Sequence, residues 1–293
     1  MAAKIIDGKA IAQQMQDEMK SEVDELISKG VTPRLDVVLV GEDPASQVYV
    51  RNKGRACDRL GMSSDTHRLP AETTQDELLK IVEGFNQDSA CHGILVQLPL
   101  PDHINDEAIL NAIDPAKDVD GFHPVNVGKM VVGEPGFLPC TPHGIQMLLI
   151  RSGIETKGKH VVVVGRSNIV GKPIANILVQ KKEGANSIVT IVHTAAGDMS
   201  PYTRQADILI AAVGRPEIIT ADMVKDDVVV IDVGINRVDD PSREKGYRLT
   251  GDVDFEGVSE KAAWITPVPG GVGPMTITML MHNTIESARN TLS

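Results

Sequence analysis

The stretch HVVVVGRSNIVGKP, residues 160–173, decides the fold. Four consecutive valines, Val161 to Val164, form an apolar run with no polar face, as expected of a strand buried on both sides of a parallel sheet. Gly165 stops the run, and apolar spacing resumes as a helix from Val170. A strand that passes through a glycine turn into a helix N-terminus leaves backbone N–H groups and the helix dipole facing outward, where an anion such as a dinucleotide pyrophosphate can sit. The spacing is Gly165-x-Ser167-x-x-x-Gly171 rather than Gly-x-Gly-x-x-Gly, so the turn has the context of a dinucleotide site with an altered backbone approach.

Both flanks repeat the same alternation. Downstream, Ile188–Val192, Asp207–Val213 and Val228–Val233 read as further buried strands. Upstream, Ile11, Met15, Met19, Val23 and Leu26 recur at helical steps from Asp7 until Gly30, and Leu35–Val40 and Gly93–Gln97 read as strands. Helices are expected at Ser46–Leu60, Gln75–Asn86 and Asp106–Ile113. The chain is therefore α/β, with parallel sheets and two domains. Gly133, Pro135, Gly136, Pro139 and Pro142 crowd one segment and mark the boundary. The expected division is a catalytic domain at 1–140 and a Rossmann-like domain at 141–274, with a last helix at about 275–293 packing back on the first. The polar run 238–248 reads as a solvated hairpin or connection.

The 293 residues carry 29 Lys and Arg against 40 Asp and Glu, a net charge of −11, and only 3% are aromatic. Nucleic-acid binding, which needs clustered positive charge or stacking platforms, is not expected. Nor is a membrane role, because no apolar run approaches the roughly 18 residues of a span. Cys57, Cys91 and Cys140 fit no metal-ligand spacing, no histidine pair forms a metal motif, and no metal is expected. They read as buried free thiols. The opening residues lack the apolar core of a signal peptide, so the expected location is cytoplasmic.

Several positions carry possible chemistry. Tyr49 and Lys53 share one face of the Ser46–Leu60 helix. Gln97 closes an apolar strand at its carboxyl end, where α/β sheets gather ligands. Asp118 and Asp120 lie in a loop before Gly121. Pro269, Gly270, Gly271 and Gly273 belong to a shaped apolar loop against which a planar ligand could lie. The strand ending at Val192 has no acid until Asp198, whereas Arg166 in the glycine turn could pair with a ribose phosphate, which favours NADP over NAD.

The segments YVRNK (49–53), VQLPLP (96–101), KDVDGFHPVN (117–126), PCTPHG (139–144), GRSNIVGKP (165–173), DVGINR (232–237) and TPVPGGVGPMT (266–276) together resemble the bifunctional methylenetetrahydrofolate dehydrogenase/methenyltetrahydrofolate cyclohydrolase family. The resemblance implies an enzyme, usually a homodimer, that oxidises 5,10-methylenetetrahydrofolate with NADP and hydrolyses the product to 10-formyltetrahydrofolate. It implies that Lys53 is catalytic, that Tyr49 stacks on and orients the substrate, that Gln97 tunes the lysine, and that Asp120, with Asp118 beside it, anchors the pterin. Gly165, Arg166, Ser167, Thr194 and Ile235 would contact the cofactor, although the family often has serine where Thr194 stands. Pro269, Gly270, Gly271 and Gly273 would cover the folate. Two other readings of the residues are a different two-domain NADP dehydrogenase, such as a shikimate dehydrogenase, and a non-catalytic folate- or dinucleotide-binding protein.

Overall fold

The computed structural model describes residues 3–243 and 246–292. Its first half contains β1 (Lys4–Ile5), α1 (Gly8–Ser28), β2 (Arg34–Val40), α2 (Pro44–Leu60), β3 (Ser63–Leu69), α3 (Gln75–Gln87), β4 (Gly93–Val96), α4 (Asp106–Ala112) and α5 (Pro124–Val132). There follow α6 (Cys140–Arg151), β5 (His160–Val164), α7 (Gly171–Val179), β6 (Ile188–Val192), α8 (Ser200–Thr203), β7 (Ile208–Ala211) and β8 (Val229–Asp232). The last elements are β9 (Asn236–Asp239), β10 (Tyr247–Thr250), α9 (Phe255–Ser259), β11 (Trp264–Ile265) and α10 (Val272–Asn290). Two compact units result, one of residues 13–140 and 277–293, the other of residues 1–12 and 141–276.

The first unit holds a parallel three-stranded sheet in the order β3-β2-β4. Its core joins Val38, Val40, Ile94 and Val96 of the sheet to Leu78 and Val82 of α3 and Ile109 of α4. Local chemistry sets the helix ends. The Asp43 side chain accepts the Ser46 N–H at 2.7 Å, Pro44 occupies the first turn of α2, and Gly61 closes the helix at φ 78°. At α3, Thr74 and Glu77 cap each other reciprocally. Caps of this kind stabilise a helix by about 0.5–2 kcal/mol.

The second unit holds a six-stranded sheet, all parallel, in the order β1-β11-β8-β7-β5-β6. The four valines of β5 are fully buried, each contributing about 1.5–3 kcal/mol of apolar burial. The N-terminal strand β1 joins this sheet through β11, with Lys4 opposite Trp264. Residues 236–239 and 247–250, β9 and β10, pair antiparallel, where the polar run suggested a hairpin or connection; residues 244 and 245 of that run lie outside the described residues. Sequence periodicity did not reveal β3, because every residue of SSDTHRL before Leu69 is polar and none of the seven is buried. It forms through register with β2, Arg34 opposite Ser63 through Val40 opposite Leu69.

Candidate active site

Lys53 lies on the buried face of α2, one turn beyond Tyr49. Its Nζ donates to Gln97 Oε1 at 3.0 Å. Gln97 follows β4 directly, and its backbone N–H bonds to the Val38 carbonyl, so the side chain departs from a fixed strand end. Its Nε2 donates to the Leu98 carbonyl at 2.7 Å, which fixes the amide so that oxygen, not nitrogen, faces the lysine. Burial pushes the Lys53 ammonium below the ordinary lysine value, while the nearby charge of Asp120 opposes that shift. Burial in turn raises the Asp120 carboxyl, and Lys53 and the Cys140 thiol hold it down. The sequence places Lys53, Gln97, Asp120 and Cys140 far apart, yet they form one polar cluster in which Lys53 and Cys140 are buried, Gln97 and Asp120 are half-buried, and one amine faces one carboxylate. Tyr49 is 36% exposed, its hydroxyl meets no hydrogen-bond partner among the described residues, and partial burial keeps it a neutral phenol.

Asp118 has a different environment. It is buried, with Oδ1 accepting the Phe122 N–H at 3.2 Å and Oδ2 accepting the His123 N–H at 2.9 Å and Asn126 Nδ2 at 2.8 Å. Both oxygens are therefore engaged in building the loop that leads into α5, and burial raises the carboxyl to about 6. Gly121 turns this loop at φ 77°. A side chain there would meet the Leu138 carbonyl carbon at 2.6 Å.

In the other unit, the register opposes Val164 to both Val192 and Ala211, and Ala211 to Asp232. Gly165, Thr194 and Ile235 consequently follow strand ends that lie along one carboxyl edge. Gly165 has φ 131°, and a Cβ on it would lie 2.2 Å from the Ala212 carbonyl oxygen. A Cβ on Gly171 would lie 2.3 Å from the Gly165 oxygen, so Gly171 takes the close-packing role that another glycine spacing serves elsewhere. Ser167 Oγ accepts the N–H groups of Val170 at 3.1 Å and Gly171 at 3.3 Å, leaving its own hydrogen free to donate. The backbone N–H groups of Arg166, Ser167, Asn168 and Ile169 find no acceptor among the described residues. Arg166 is exposed and makes no ion pair there either. Unpaired donors around a cramped glycine turn, with a free guanidinium beside them, fit a dinucleotide phosphate. Thr194 is exposed, and Ile235 presents 46% of its surface.

Pro269 to Gly271 lead into α10, and Gly273 lies in its first turn. Gly270 has φ 110°, its carbonyl accepts the Lys9 N–H at 3.0 Å, and a Cβ on Gly8 would lie 1.8 Å from the Gly271 oxygen. Part of this glycine run thus serves backbone packing against the start of α1. Pro269 stays exposed.

Sequence reasoning missed two residues of the carboxyl edge, Asp232 and Asp252. Both are buried, and their partners are almost all backbone N–H groups, which leave no trace in side-chain patterns. The acid that closes the otherwise apolar strand β8 is the signal that could have revealed the first.

The fold and these two clusters define a two-unit α/β enzyme that combines a dinucleotide-binding sheet edge with a Lys/Asp centre built on a buried lysine. Residues 6–120 match the family model for the catalytic domain of tetrahydrofolate dehydrogenase/cyclohydrolase, and residues 139–292 match that for its NAD(P)-binding domain. A relative from Prosthecochloris aestuarii described as bifunctional protein FolD is 60% identical over 286 residues, 97% of each chain. The crystal structure of Trypanosoma brucei methylenetetrahydrofolate dehydrogenase-cyclohydrolase, complexed with NADP cofactor and inhibitor, is 41% identical with a TM-score of 0.94, covering 100% of this chain and 99% of its own. A shikimate dehydrogenase in complex with NADP+ is only 11% identical at a TM-score of 0.51, covering 89% of this chain and 96% of its own, and shares the fold alone. The chain belongs to the tetrahydrofolate dehydrogenase/cyclohydrolase family.

Proposed function

We propose that this enzyme oxidises 5,10-methylenetetrahydrofolate to the 5,10-methenyl form with NADP and then hydrolyses that product to 10-formyltetrahydrofolate. The observation that carries the reading is the buried Lys53, held by an uncharged amide oxygen at 3.0 Å and faced by Asp120. NADP, when bound, accepts the hydride. The one-carbon bridge lies between two nitrogens that stabilise the cation left behind, so oxidation needs alignment more than a strong base. Tyr49 supports that alignment by offering an exposed ring face and a free hydroxyl to the folate. Asp120 would hold the pterin by hydrogen bonds, while Asp118 keeps the loop carrying Asp120 in shape. Gly165 and the free N–H groups from Arg166 onward would hold the pyrophosphate. Arg166, with Ser167 and Thr194, would meet the phosphate and hydroxyls of the adenosine ribose, and Ile235 the remainder of the cofactor. Pro269, Gly270, Gly271 and Gly273 would lie along the folate.

Hydrolysis makes a different demand, because water must lose a proton as it attacks the methenyl carbon, and a ring nitrogen must gain one as its bond to that carbon breaks. Lys53 is suited to receive it. Burial lowers the proton affinity of its amine, and the Gln97 oxygen keeps Nζ in place in either protonation state. Positioned proton transfer of this kind is worth typically about 10²–10⁴-fold. Lys53→Met is expected to lower the hydrolysis rate by at least about 10²-fold while NADP binding measured by calorimetry stays unchanged. Full retention of hydrolysis would contradict the assignment. A cytoplasmic homodimer completes the proposal. It is supported by the family membership and tested by sedimentation equilibrium, with about twice the chain mass expected.

A further inference from the structure

Two buried aspartates at the carboxyl edge of the six-stranded sheet lack any cation partner among the described residues. Asp232 ends β8, and its Oδ1 accepts the N–H groups of Gly234 at 3.0 Å and Asp252 at 2.9 Å, while Oδ2 accepts Val253 N–H at 3.0 Å. Asp252 follows β10. Its Oδ2 accepts Val213 N–H at 2.6 Å and Gly214 N–H at 2.8 Å, and its Oδ1 accepts Arg215 N–H at 3.0 Å and Asn236 Nδ2 at 2.9 Å. The carboxylates lie so close to the backbone that a Cβ on Gly234 would be 2.1 Å from Asp252 Oδ1, and one on Gly251 would be 1.7 Å from Asp232 Oδ2. Only glycine fits at either place.

These contacts join the loops that follow β7 and β8. Ile235, read above as a cofactor contact, is pinned on both sides, through the Gly234 N–H to Asp232 and through the Asn236 side chain to Asp252. Packing does not hold it, since nearly half its surface is exposed. The loop after β7 starts at Ala212, whose carbonyl also sets the tight approach to Gly165. We propose that Asp232 and Asp252 are positioning residues of the cofactor site, fixing Val213–Arg215 and Gly234–Asn236 so that Ile235 is presented to the dinucleotide before it binds.

The proposal rests on the reading of this edge as the NADP site. It explains why acids stand here without cations: a carboxylate is the only side chain whose two oxygens can both accept from converging N–H groups. Each oxygen of Asp252 takes two donors. In Asp252→Asn, either orientation of the amide turns an NH₂ group against two N–H donors. The loops after β7 and β8 lie on the side of β5 opposite β6, whose end meets the adenosine ribose in this topology. A loosened brace therefore affects the nicotinamide half of the cofactor and leaves the adenosine half in place.

Calorimetric titration of purified protein with NADP, and separately with adenosine 2′,5′-bisphosphate, tests this. Asp252→Asn is expected to weaken NADP binding about tenfold or more. Asn236→Ala, which removes one donor and leaves a short side chain at a partly exposed position, should weaken it about threefold or more if Asp252→Asn does not fold. Binding of adenosine 2′,5′-bisphosphate should stay within about twofold of the parent in Asn236→Ala, since that change leaves the adenosine end untouched. Unchanged NADP affinity in Asn236→Ala, or equal weakening of both ligands, would overturn the proposal. If the parent protein binds neither ligand, the cofactor reading itself fails.

Discussion

Lys53 illustrates how far one residue can be understood. Its position on the same helix face as Tyr49 is legible from a four-residue spacing, but its partner Gln97 is 44 positions away and no local pattern joins them. The contact arises because β2 pairs with β4 and delivers the end of β4 to the buried face of α2. The energetic sign follows from burial. A lysine whose folded pKa is lowered penalises the fold fully below that value, and the penalty fades as pH rises towards the unfolded value of 10.5. Lys53→Met should thus raise the melting temperature at neutral pH, by about 2–4 °C for each kcal/mol relieved, and the gain should shrink in alkaline buffer. A lower melting temperature would show that the polar cluster stabilises this unit. Hydrolysis should rise with pH along a limb below the ordinary lysine range. Asp120 holds the Lys53 proton on, so Asp120→Asn should move that limb of the kcat profile to lower pH. A shift to higher pH would contradict the coupling.

At the scale of elements, the alternation of strand and helix was readable wherever apolar runs were long, as in β5, β2 and α1. It was not readable in β3, a polar edge strand, or in α5, which starts at Pro124 with His123 as its cap and stops at Gly133. The β5–α7 turn shows why the altered glycine spacing still works. Gly171 supplies the close approach, Ser167 Oγ accepts the Val170 and Gly171 N–H groups, and the N–H groups of Arg166 to Ile169 remain free among the described residues. Gly171→Ala places a methyl group 2.3 Å from the Gly165 oxygen and should abolish measurable NADP binding. Arg166→Ala removes an exposed charge that nothing else engages, so the fold should persist while the KM for NADP rises about tenfold and that for NAD changes little. Equal changes for both cofactors would remove Arg166 from the phosphate site.

For the whole molecule, a net charge of −11 excludes general electrostatic attraction as the means of collecting two anionic ligands. In the proposed function, binding rests instead on local groups in each unit: Lys53 in one, Arg166 and the unpaired backbone N–H groups of 166–169 in the other. Length and breaker residues pointed to two units. The joining of β1 to the second unit's sheet stayed hidden, because a two-residue strand carries no periodicity and is fixed only by its partners, Trp264 and Ile265. One chain performs both the oxidation and the hydrolysis. Spectrophotometry of the purified protein with 5,10-methylenetetrahydrofolate and NADP, following reduced cofactor and the methenyl product together, tests it most directly. NADPH is expected to form one for one with substrate consumed, and the methenyl product to decay to 10-formyltetrahydrofolate faster than in buffer alone. Absence of NADPH formation, or methenyl decay no faster than the uncatalysed rate, would contradict it.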